Sequence, residues 1–349
     1  MKSPIRRNVR LMAGYVPGEQ MEAAGLVKLN TNECPYPPSP RVARALRTLD
    51  PARLRLYPDP TCSSIRKRLA ALHGVKPEQV FVGNGSDEVL RLVTLAFVED
   101  NGAVGSFWPS YSLYEVLAES RNVPFRKVPL RRDFGWRTPP PAFRASVFFL
   151  TTPNNPTGVA YAAEDVRRFC KRFKGLVVID EAYTDFAGWN NMELARTLPN
   201  VLVLRTLSKS FSLAGIRLGY LVGPEPLIGA LMKLKDSYNV NVLTQTAALA
   251  ALEDRAYWRK LTARVKAGRA RLVRGLEKLE FKIVPSQANF LWARPARIEA
   301  RVLFEALRAK KILVRYNPKD WHPDYMRITV GSDAEIGRLL RAIRDIQGV

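Results

Sequence analysis

The sequence has few of the residues on which many protein sites depend, and each scarcity excludes a kind of site. Only two histidines occur, His73 and His322, so neither a Ser-His-Asp hydrolase nor a metal site built from several histidines is expected. The three cysteines, Cys34, Cys62 and Cys170, have neither the spacing of a zinc site nor that of a disulfide framework. Reduced thiols in a cytoplasmic protein are expected instead.

Acidic residues are scarce relative to basic ones. The chain has 32 Asp and Glu against 55 Lys and Arg, which gives a formal net charge of +23. Such an excess attracts anions, so a nucleic-acid-binding or regulatory protein is one hypothesis. The basic residues are, however, spread over many helical patterns, and no helix-turn-helix, zinc-finger or RNA-binding signature accompanies them. We therefore expect a solvated basic surface and no specific nucleic-acid partner.

Long apolar runs are absent as well. No run could span a bilayer, and the basic start of the chain is not followed by the apolar segment of a secretory leader. The sequence therefore predicts no membrane partner and a cytoplasmic location. With 349 residues, the chain has the length of about two domains.

Strand and helix patterns alternate through the first two thirds of the chain. Helical patterns lie between most of the short apolar runs, which recur at 80–82, 103–106, 146–150, 176–179, 201–204 and 220–222. This alternation predicts an α/β fold with a mostly parallel central sheet. The final third combines a long charged helix over 253–279 with short strands, which indicates a smaller α+β domain. We expect an amino-terminal arm over 1–28, a large domain over 45–235, and a small domain formed by 29–44 and 236–349.

Three segments of the predicted large domain carry reactive groups. Arg-Thr-Leu-Ser-Lys-Ser at 205–210, followed by Arg217, combines a lysine with hydroxyls and a cation. Val-Val-Ile-Asp-Glu-Ala-Tyr at 177–183 places a carboxylate after a buried strand, and Asn-Asn-Pro-Thr-Gly at 154–158 adds an amide. Each segment alone is typical of an ordinary loop, turn or helix cap. Their occurrence together after strands indicates one site at the carboxyl edge of a sheet.

These are the groups that a protein needs to bind pyridoxal phosphate. The cofactor requires a lysine that bonds to its aldehyde and an anion beside its pyridine nitrogen. Lys209 and Asp180 are the candidates for these catalytic roles, and a cation near Lys209 would lower its pKa. The groups suited to the phosphate or to the ring hydroxyl are Thr206, Ser208, Arg217, Asn155 and Tyr183.

Five further segments carry recognisable motifs: Leu-Asn-Thr-Asn-Glu-Cys-Pro-Tyr at 29–36, Arg-Leu-Tyr-Pro-Asp at 55–59, Gly-Asn-Gly-Ser-Asp-Glu at 83–88, Pro-Ser-Tyr at 109–111, and Asp-Tyr-Met-Arg-Ile-Thr-Val-Gly at 324–331. With the three segments above, they resemble the fold-type-I aminotransferases and, within them, the histidinol-phosphate aminotransferase family, over nearly the whole chain. Two departures are Cys34, where family members commonly have Asn, and Gly14, where the arm usually has Pro before its tyrosine.

The resemblance implies further site residues and a homodimer. Tyr57 matches a family tyrosine that reaches the cofactor phosphate in the partner subunit, and Tyr183 is expected to be catalytic with Lys209 and Asp180. The additional cofactor-binding residues implied are Gly85, Ser86, Asp87 and Tyr111. The implied substrate-binding residues are Arg327, Arg315, Asn32, Tyr15 and Asn239.

The implied reaction is reversible transfer of an amino group between L-histidinol phosphate and 2-oxoglutarate in histidine biosynthesis, giving imidazole-acetol phosphate and L-glutamate. Two related pyridoxal-phosphate enzymes stay open as alternatives, an aromatic amino-acid aminotransferase and a threonine-phosphate decarboxylase. The same cofactor groups would serve all three reactions, so the choice depends on substrate contacts that the sequence does not place.

Overall fold

The computed structural model describes residues 3–319 and 321–348. The strands are β1 (Val27–Leu29), β2 (Val80–Gly83), β3 (Val104–Trp108), β4 (Phe125–Pro129), β5 (Val147–Thr151), β6 (Leu176–Asp180), β7 (Val201–Thr206), β8 (Gly219–Val222), β9 (Phe281–Val284), β10 (Phe290–Pro295), β11 (Ile312–Val314) and β12 (Met326–Thr329). The helices are α1 (Arg7–Leu11), α2 (Pro40–Arg47), α3 (Ser63–His73), α4 (Gly85–Phe97), α5 (Leu113–Ser120), α6 (Ala163–Arg172), α7 (Met192–Thr197), α8 (Glu225–Leu234), α9 (Val242–Glu253), α10 (Arg255–Glu277), α11 (Ala300–Ala309) and α12 (Asp333–Gln347).

The central element is a seven-stranded sheet in the order β2-β8-β7-β6-β5-β3-β4. Strand β8 runs antiparallel to both of its neighbours, and the other pairs in the sheet are parallel. Every residue of β5 and β6 is buried, as expected for strands covered on both faces by helices. The predicted α/β fold with a mostly parallel sheet is confirmed.

Six of the seven strands in this sheet lie on the apolar runs of the sequence, and only β4 was not predicted from such a run. The sequence of β4 lacks a continuous apolar run, because Arg126 and Lys127 interrupt its apolar residues. Strand β4 lies at the edge of the sheet, where these charged side chains are exposed. Charged residues at an edge strand oppose pairing with another chain, so this polarity has a physical role.

The final third of the chain forms a second, smaller layer. Strands β9, β10 and β12 make an antiparallel sheet, with β10 in the middle, and β11 pairs in parallel with β1 from the start of the chain. Helices α10, α11 and α12 bury their apolar residues against this layer in a separate hydrophobic core. The pairing of β1 with β11 brings residues near 30 beside residues near 315.

We propose that the chain consists of an arm, a large domain and a small domain, with α2 and α9 assigned to the large one. Val42 of α2 and Ala247 and Ala251 of α9 are buried in the core that also contains the residues of the seven-stranded sheet. Packing therefore favours a boundary near Asp254, between α9 and α10, over the predicted boundary at 236. No helix among the described residues has the length and apolar character needed to cross a membrane.

Candidate active site

Most of the predicted site residues converge on one cavity of about 410 Å³ at the carboxyl edge of the seven-stranded sheet. Strands β5, β6 and β7 end there at Thr151, Asp180 and Thr206. The predicted residues that line this cavity are Tyr15, Asn32, Ser86, Asp87, Tyr111, Asn155, Asp180, Tyr183, Thr206, Ser208, Lys209, Arg217, Arg315 and Arg327. The arrangement agrees with the rule that open α/β sheets bind ligands beyond the carboxyl ends of their strands.

A larger cavity, of about 750 Å³, lies at the opposite edge of the same sheet. It is lined by Ala103, Ser146 and Gly175, which precede β3, β5 and β6, together with aromatic rings and exposed arginines. None of the predicted catalytic or cofactor-binding residues lines it. Cavity size therefore does not identify the site, whereas the convergence of reactive groups does.

Asp180 is a buried carboxylate that is held by hydrogen bonds alone. Its Oδ2 accepts a hydrogen bond of 2.7 Å from the Tyr114 hydroxyl, and its Oδ1 accepts one of 3.0 Å from the Ala182 N–H. No basic side chain within residues 3–319 and 321–348 forms an ion pair with it. Burial raises the pKa of Asp180 to about 6, although the two donors act in the opposite direction. A protonated pyridine nitrogen would supply the missing positive partner.

Lys209 lies at the wall of the cavity, and its Nζ donates a hydrogen bond of 3.2 Å to the carbonyl of Thr31. The pKa of Lys209 is lowered to about 8, chiefly by burial and to a smaller extent by the guanidinium groups of Arg327 and Arg217, while Glu33 and Asp87 act in the opposite direction. The predicted influence of neighbouring cations is therefore present, but burial is the larger cause. A lowered pKa increases the neutral fraction of the amine, which is the form that bonds to an aldehyde and accepts protons.

The start of α4 and Arg217 form a concave surface suited to a phosphate. Gly85 has a left-handed φ of +82°, and a Cβ built on it would lie 2.5 Å from an Arg217 guanidinium nitrogen. On the other side, a Cβ on Gly219 would lie 2.6 Å from the backbone nitrogen of Ser86. Both positions thus require glycine. The two glycines allow the amino terminus of α4 to lie close to the Arg217 guanidinium and to β8. A helix amino terminus attracts anions, as a guanidinium does.

Two hydroxyls complete this concave surface. The Thr206 hydroxyl donates to Ser208 Oγ at 3.0 Å, and both side chains line the cavity. Arg217 itself has a left-handed φ of 56°, which is uncommon for a residue with a side chain. Such a conformation persists only where the surrounding structure holds it, and it is typical of functional sites.

Arg327 is a buried cation without an acidic partner in the part of the chain that the structure describes. One guanidinium nitrogen donates to Asn155 Oδ1 and another to the Asn30 carbonyl, both at 2.7 Å, while Nε has no partner there. The group also lies 5.3 Å from the ring centre of Trp321. Burial lowers the pKa of Arg327 without removing its charge. A cation held in this way is suited to bind an anionic group of a substrate.

Asn32 lines the cavity, but its amide is engaged in holding Tyr183. Asn32 Nδ2 donates to the Tyr183 hydroxyl at 3.1 Å, and Asn32 Oδ1 accepts from the Thr329 hydroxyl at 3.1 Å. Asn32 also has a left-handed φ of 56°. Its contacts therefore indicate a role in orienting Tyr183 toward the cavity.

Arg315 and Tyr15 bring the amino-terminal arm to the mouth of the cavity. The Arg315 guanidinium donates to the carbonyls of Val16 and Pro17 at 2.8 and 3.0 Å, and the Tyr15 ring lies 5.7 Å from that of Tyr111. Arg315 thus fastens the arm in addition to lining the cavity.

Tyr57 and Asn239 lie outside this cavity. Tyr57 is 80% exposed and stacks on the Tyr238 ring at 4.2 Å, so it makes no contact with the site of its own chain. The amide of Asn239 donates to Glu88 Oε2 at 3.0 Å and does not reach the cavity. The structure of the single chain therefore does not bring either residue to the predicted substrate and cofactor contacts.

Several residues at the site were not predicted. The Tyr114 hydroxyl donates to Asp180 and contacts the Thr151 hydroxyl, Asn30 accepts from Arg327, and Trp321 lines the wall beside it. The sequence contained a signal for one of them. Thr151 ends β5 as Asp180 ends β6, and the two are partners in the ladder between these strands.

The partly buried position of Lys209 predicts an effect on stability. Because its pKa falls from 10.5 to about 8 on folding, the unfolded chain binds a proton that the folded chain does not between these pH values. Lys209→Met should therefore raise the free energy of unfolding of the cofactor-free protein at pH 7 by roughly 2 kcal/mol. The gain should shrink as the pH rises from 8 toward 10.5, as measured by urea unfolding.

The control for this experiment is Lys233→Met, at an exposed position of α8. It should change stability little at any pH. A loss of stability in Lys209→Met, or a gain that does not depend on pH, would contradict the prediction.

Comparison with known proteins agrees with the geometry. The model of the family described as "Aminotransferase class I and II" matches residues 24–343. "Histidinol-phosphate aminotransferase 2" of Thiobacillus denitrificans is 45% identical over 96% of both chains. "Histidinol-phosphate aminotransferase 1" of Nostoc sp. is 42% identical over 99% of both chains.

A solved structure extends the comparison to the fold. The histidinol-phosphate aminotransferase of Sinorhizobium meliloti, solved in complex with pyridoxal-5'-phosphate, superimposes with a TM-score of 0.88. The match covers 100% of this chain and 98% of that one at 23% sequence identity, so it bears on the fold alone. The family match over residues 24–343 shows that this chain belongs to the class I and II aminotransferases.

Proposed function

We propose that this protein binds pyridoxal phosphate and transfers an amino group between L-histidinol phosphate and 2-oxoglutarate. The observation that carries the proposal is one cavity that contains a buried anion, a lysine of lowered pKa and a buried cation, namely Asp180, Lys209 and Arg327. The chain is also 42–45% identical, over nearly its full length, to relatives that bear the name of this enzyme.

The residues present fit the cofactor. Pyridoxal phosphate, when bound, supplies an aldehyde carbon that takes up the amino group and a ring that draws electrons from the substrate carbon. Asp180 would accept the hydrogen of the pyridine nitrogen, which fixes the ring and keeps that nitrogen protonated. Tyr183 and Asn155 are placed to contact the ring hydroxyl, and Tyr111 to contact the ring. The phosphate would be held by the start of α4 at Ser86 and Asp87 and by Thr206, Ser208 and Arg217.

Lys209 is the group that moves the proton. With a pKa of about 8, its amine is neutral in a useful fraction of molecules near neutral pH, so Nζ can remove a proton from the substrate carbon and return it. Burial in the cavity keeps water away from this step. Tyr183, oriented by Asn32, would limit the positions of the cofactor ring.

Arg327 would bind the anionic group of either substrate. L-Histidinol phosphate carries a phosphate ester and no α-carboxylate, whereas glutamate carries a carboxylate, and a planar guanidinium binds both kinds of oxygen. The Nε of Arg327 has no hydrogen-bond partner among the described residues, so an anionic group of the substrate would accept a hydrogen bond from it. Arg315 and Tyr15 lie at the same cavity and are candidates for further contacts with the larger substrate.

A homodimer is part of the proposal. Tyr57 is exposed beside other exposed apolar side chains, Leu54, Leu56 and Tyr238, and such a patch is typical of a surface that another chain covers. A second copy of the chain would bury this patch. It would also explain why Tyr57 lies away from the site of its own chain, because the residue would serve the site of the partner subunit.

The reaction is tested by the visible absorbance of the protein reconstituted with pyridoxal phosphate. The near-visible band should bleach on addition of L-histidinol phosphate and return with 2-oxoglutarate, because the amino group moves to the cofactor and back. Phenylalanine and threonine phosphate should bleach it far less readily. Lys209→Ala should lose the cycle, because no group then moves the proton.

The other possible outcomes would each contradict a different part of the proposal, either the substrate, the reaction or the cofactor. A band that responds only to phenylalanine would indicate an aromatic aminotransferase. Release of carbon dioxide from threonine phosphate without an oxoacid would indicate a decarboxylase. Absence of a band after reconstitution would rule out the cofactor.

The role of Arg327 predicts a shared effect on both substrates. Arg327→Gln should raise KM for L-histidinol phosphate and for glutamate alike, by about 100-fold, since each loses a charge-assisted contact. Steady-state kinetics with both amino donors measures this. Arg294→Gln is the control, because Arg294 lies on β10 with an exposed side chain that pairs with Asp324. An effect on one donor only would mean that the two anions bind different groups.

The dimer predicts complementation between inactive chains. Mixed dimers of Lys209→Ala and Tyr57→Ala chains contain one site with both residues intact, so a mixture in equal amounts should recover about a quarter of the wild-type activity. A mixture of Lys209→Ala and Asp180→Ala should recover none, because both residues belong to the same chain's site. No recovery in the first mixture, or a monomer in sedimentation, would disprove the shared site.

A further inference from the structure

We propose that the hydroxyls of Tyr114 and Thr151 form a donor pair that keeps Asp180 ionised when the protein binds its cofactor. Neither residue belongs to the set predicted for the catalytic, cofactor or substrate contacts. Tyr114 acts on the cofactor only through Asp180 and is therefore a positioning residue. The inference rests on the proposed binding of pyridoxal phosphate.

The first argument is geometric. The Tyr114 hydroxyl lies 2.7 Å from Asp180 Oδ2 and also 2.7 Å from Thr151 Oγ1. An ionised carboxylate only accepts hydrogen bonds, so the single hydrogen of the Tyr114 hydroxyl points to Asp180. The hydrogen between the two hydroxyls must then come from Thr151. Both hydroxyls therefore donate in the direction of the carboxylate.

Neighbouring groups fix this direction. Ser110 Oγ lies 3.4 Å from Thr151 Oγ1, but it donates its hydrogen to Asn154 Oδ1 at 3.0 Å. The amide orientation of Asn154 is set in turn by its donation to Thr157 Oγ1 and to the carbonyl of Pro109, each at 3.1 Å. Toward Thr151, Ser110 Oγ can therefore only accept, and the hydrogen of Thr151 goes to the Tyr114 oxygen, which is the nearer acceptor at 2.7 Å.

The ring of Tyr114 cannot turn its hydroxyl elsewhere. The side chain is fully buried and stacks on the ring of Phe149 at 4.6 Å. Its other neighbour is Tyr111, whose ring lies 5.6 Å away at a steep angle. A donor fixed in this way needs no reorganisation when the carboxylate receives a cation.

The charges around Asp180 explain why it requires such donors. Glu181, the next residue, and Asp87 of α4 both raise the pKa of Asp180, in addition to burial. The other titratable groups that face it are the hydroxyls of Tyr114 and Tyr183, which are neutral because burial raises their pKa. The donations from Tyr114 and from the Ala182 N–H are the contacts that lower the pKa of the carboxyl. Since its pKa is about 6, loss of one donor moves its titration into the neutral range.

The test is the affinity of the cofactor-free protein for pyridoxal phosphate between pH 5 and 9, measured by fluorescence titration. In the wild type, affinity should fall as the pH drops through the pKa of Asp180, because a protonated carboxyl cannot hold a pyridinium. In Tyr114→Phe, which keeps the ring, this fall should occur about one to two pH units higher. The variant should thus bind about tenfold more weakly near pH 7 and equally well at pH 9.

Two further variants make the test specific. Tyr161→Phe is the matched control, because its hydroxyl is equally buried and has no partner among residues 3–319 and 321–348; its pH profile should match the wild type. Thr151→Val removes the second donor and should shift the profile in the same direction by a smaller amount. It also provides the test if Tyr114→Phe does not fold.

The outcomes separate this inference from the proposed function. Binding by the wild type together with shifted profiles in Tyr114→Phe and Thr151→Val supports it. Profiles that coincide with the wild type, or an equal loss of affinity at every pH, would overturn it while leaving cofactor binding intact. A wild type that does not bind pyridoxal phosphate would refute the proposed function, and this inference with it.

Discussion

Asp180, Lys209 and Arg327 share one cavity, and none of them forms an ion pair within the described part of the chain. An isolated buried charge is costly, so the surrounding structure must hold each one with fixed polar groups. For Asp180 these are a hydroxyl and a backbone N–H, and for Arg327 an amide oxygen and a carbonyl. These groups come from α5, from the segments after β5 and β6, and from the segment after β1.

Glu181, Asp185 and Arg205 form an ion cluster near this cavity, and its charges, unlike those in the cavity, are paired with one another. Arg205 is paired with Glu181 at 2.8 Å and with Asp185 at 3.0 Å, in surroundings that are largely buried. Glu181 follows Asp180 in the chain, so a paired and an unpaired carboxylate are adjacent at the end of β6. The paired charges join the end of β6, β7 and the turn after Tyr183, while the unpaired ones line the cavity that we propose binds cofactor and substrate.

The convergence of the proposed cofactor-binding residues on one cavity was predictable because each lies in a short segment with its own chemistry. Lys209 is flanked by hydroxyls, and Asp180 ends an apolar strand, so residue type and local pattern were sufficient. Tyr114 and Asn30 were not predictable in this way. Tyr114 lies in a helix whose sequence is typical of an apolar face, and Asn30 contributes only its backbone carbonyl to Arg327, which no side-chain pattern reveals.

The amino-acid sequence by itself determined the alternation of strands and helices, the family and the cofactor, since these depend on periodicity and on residue types at fixed spacing. The tertiary structure alone decided which charges remain unpaired and which donors hold them. It also decided that α2 and α9 pack with the large sheet and that Arg315 fastens the arm. The reason is physical: an ion pair or a hydrogen bond depends on distances between atoms far apart in the chain, such as the 2.7 Å contacts of Arg327 with residues near 30 and 155.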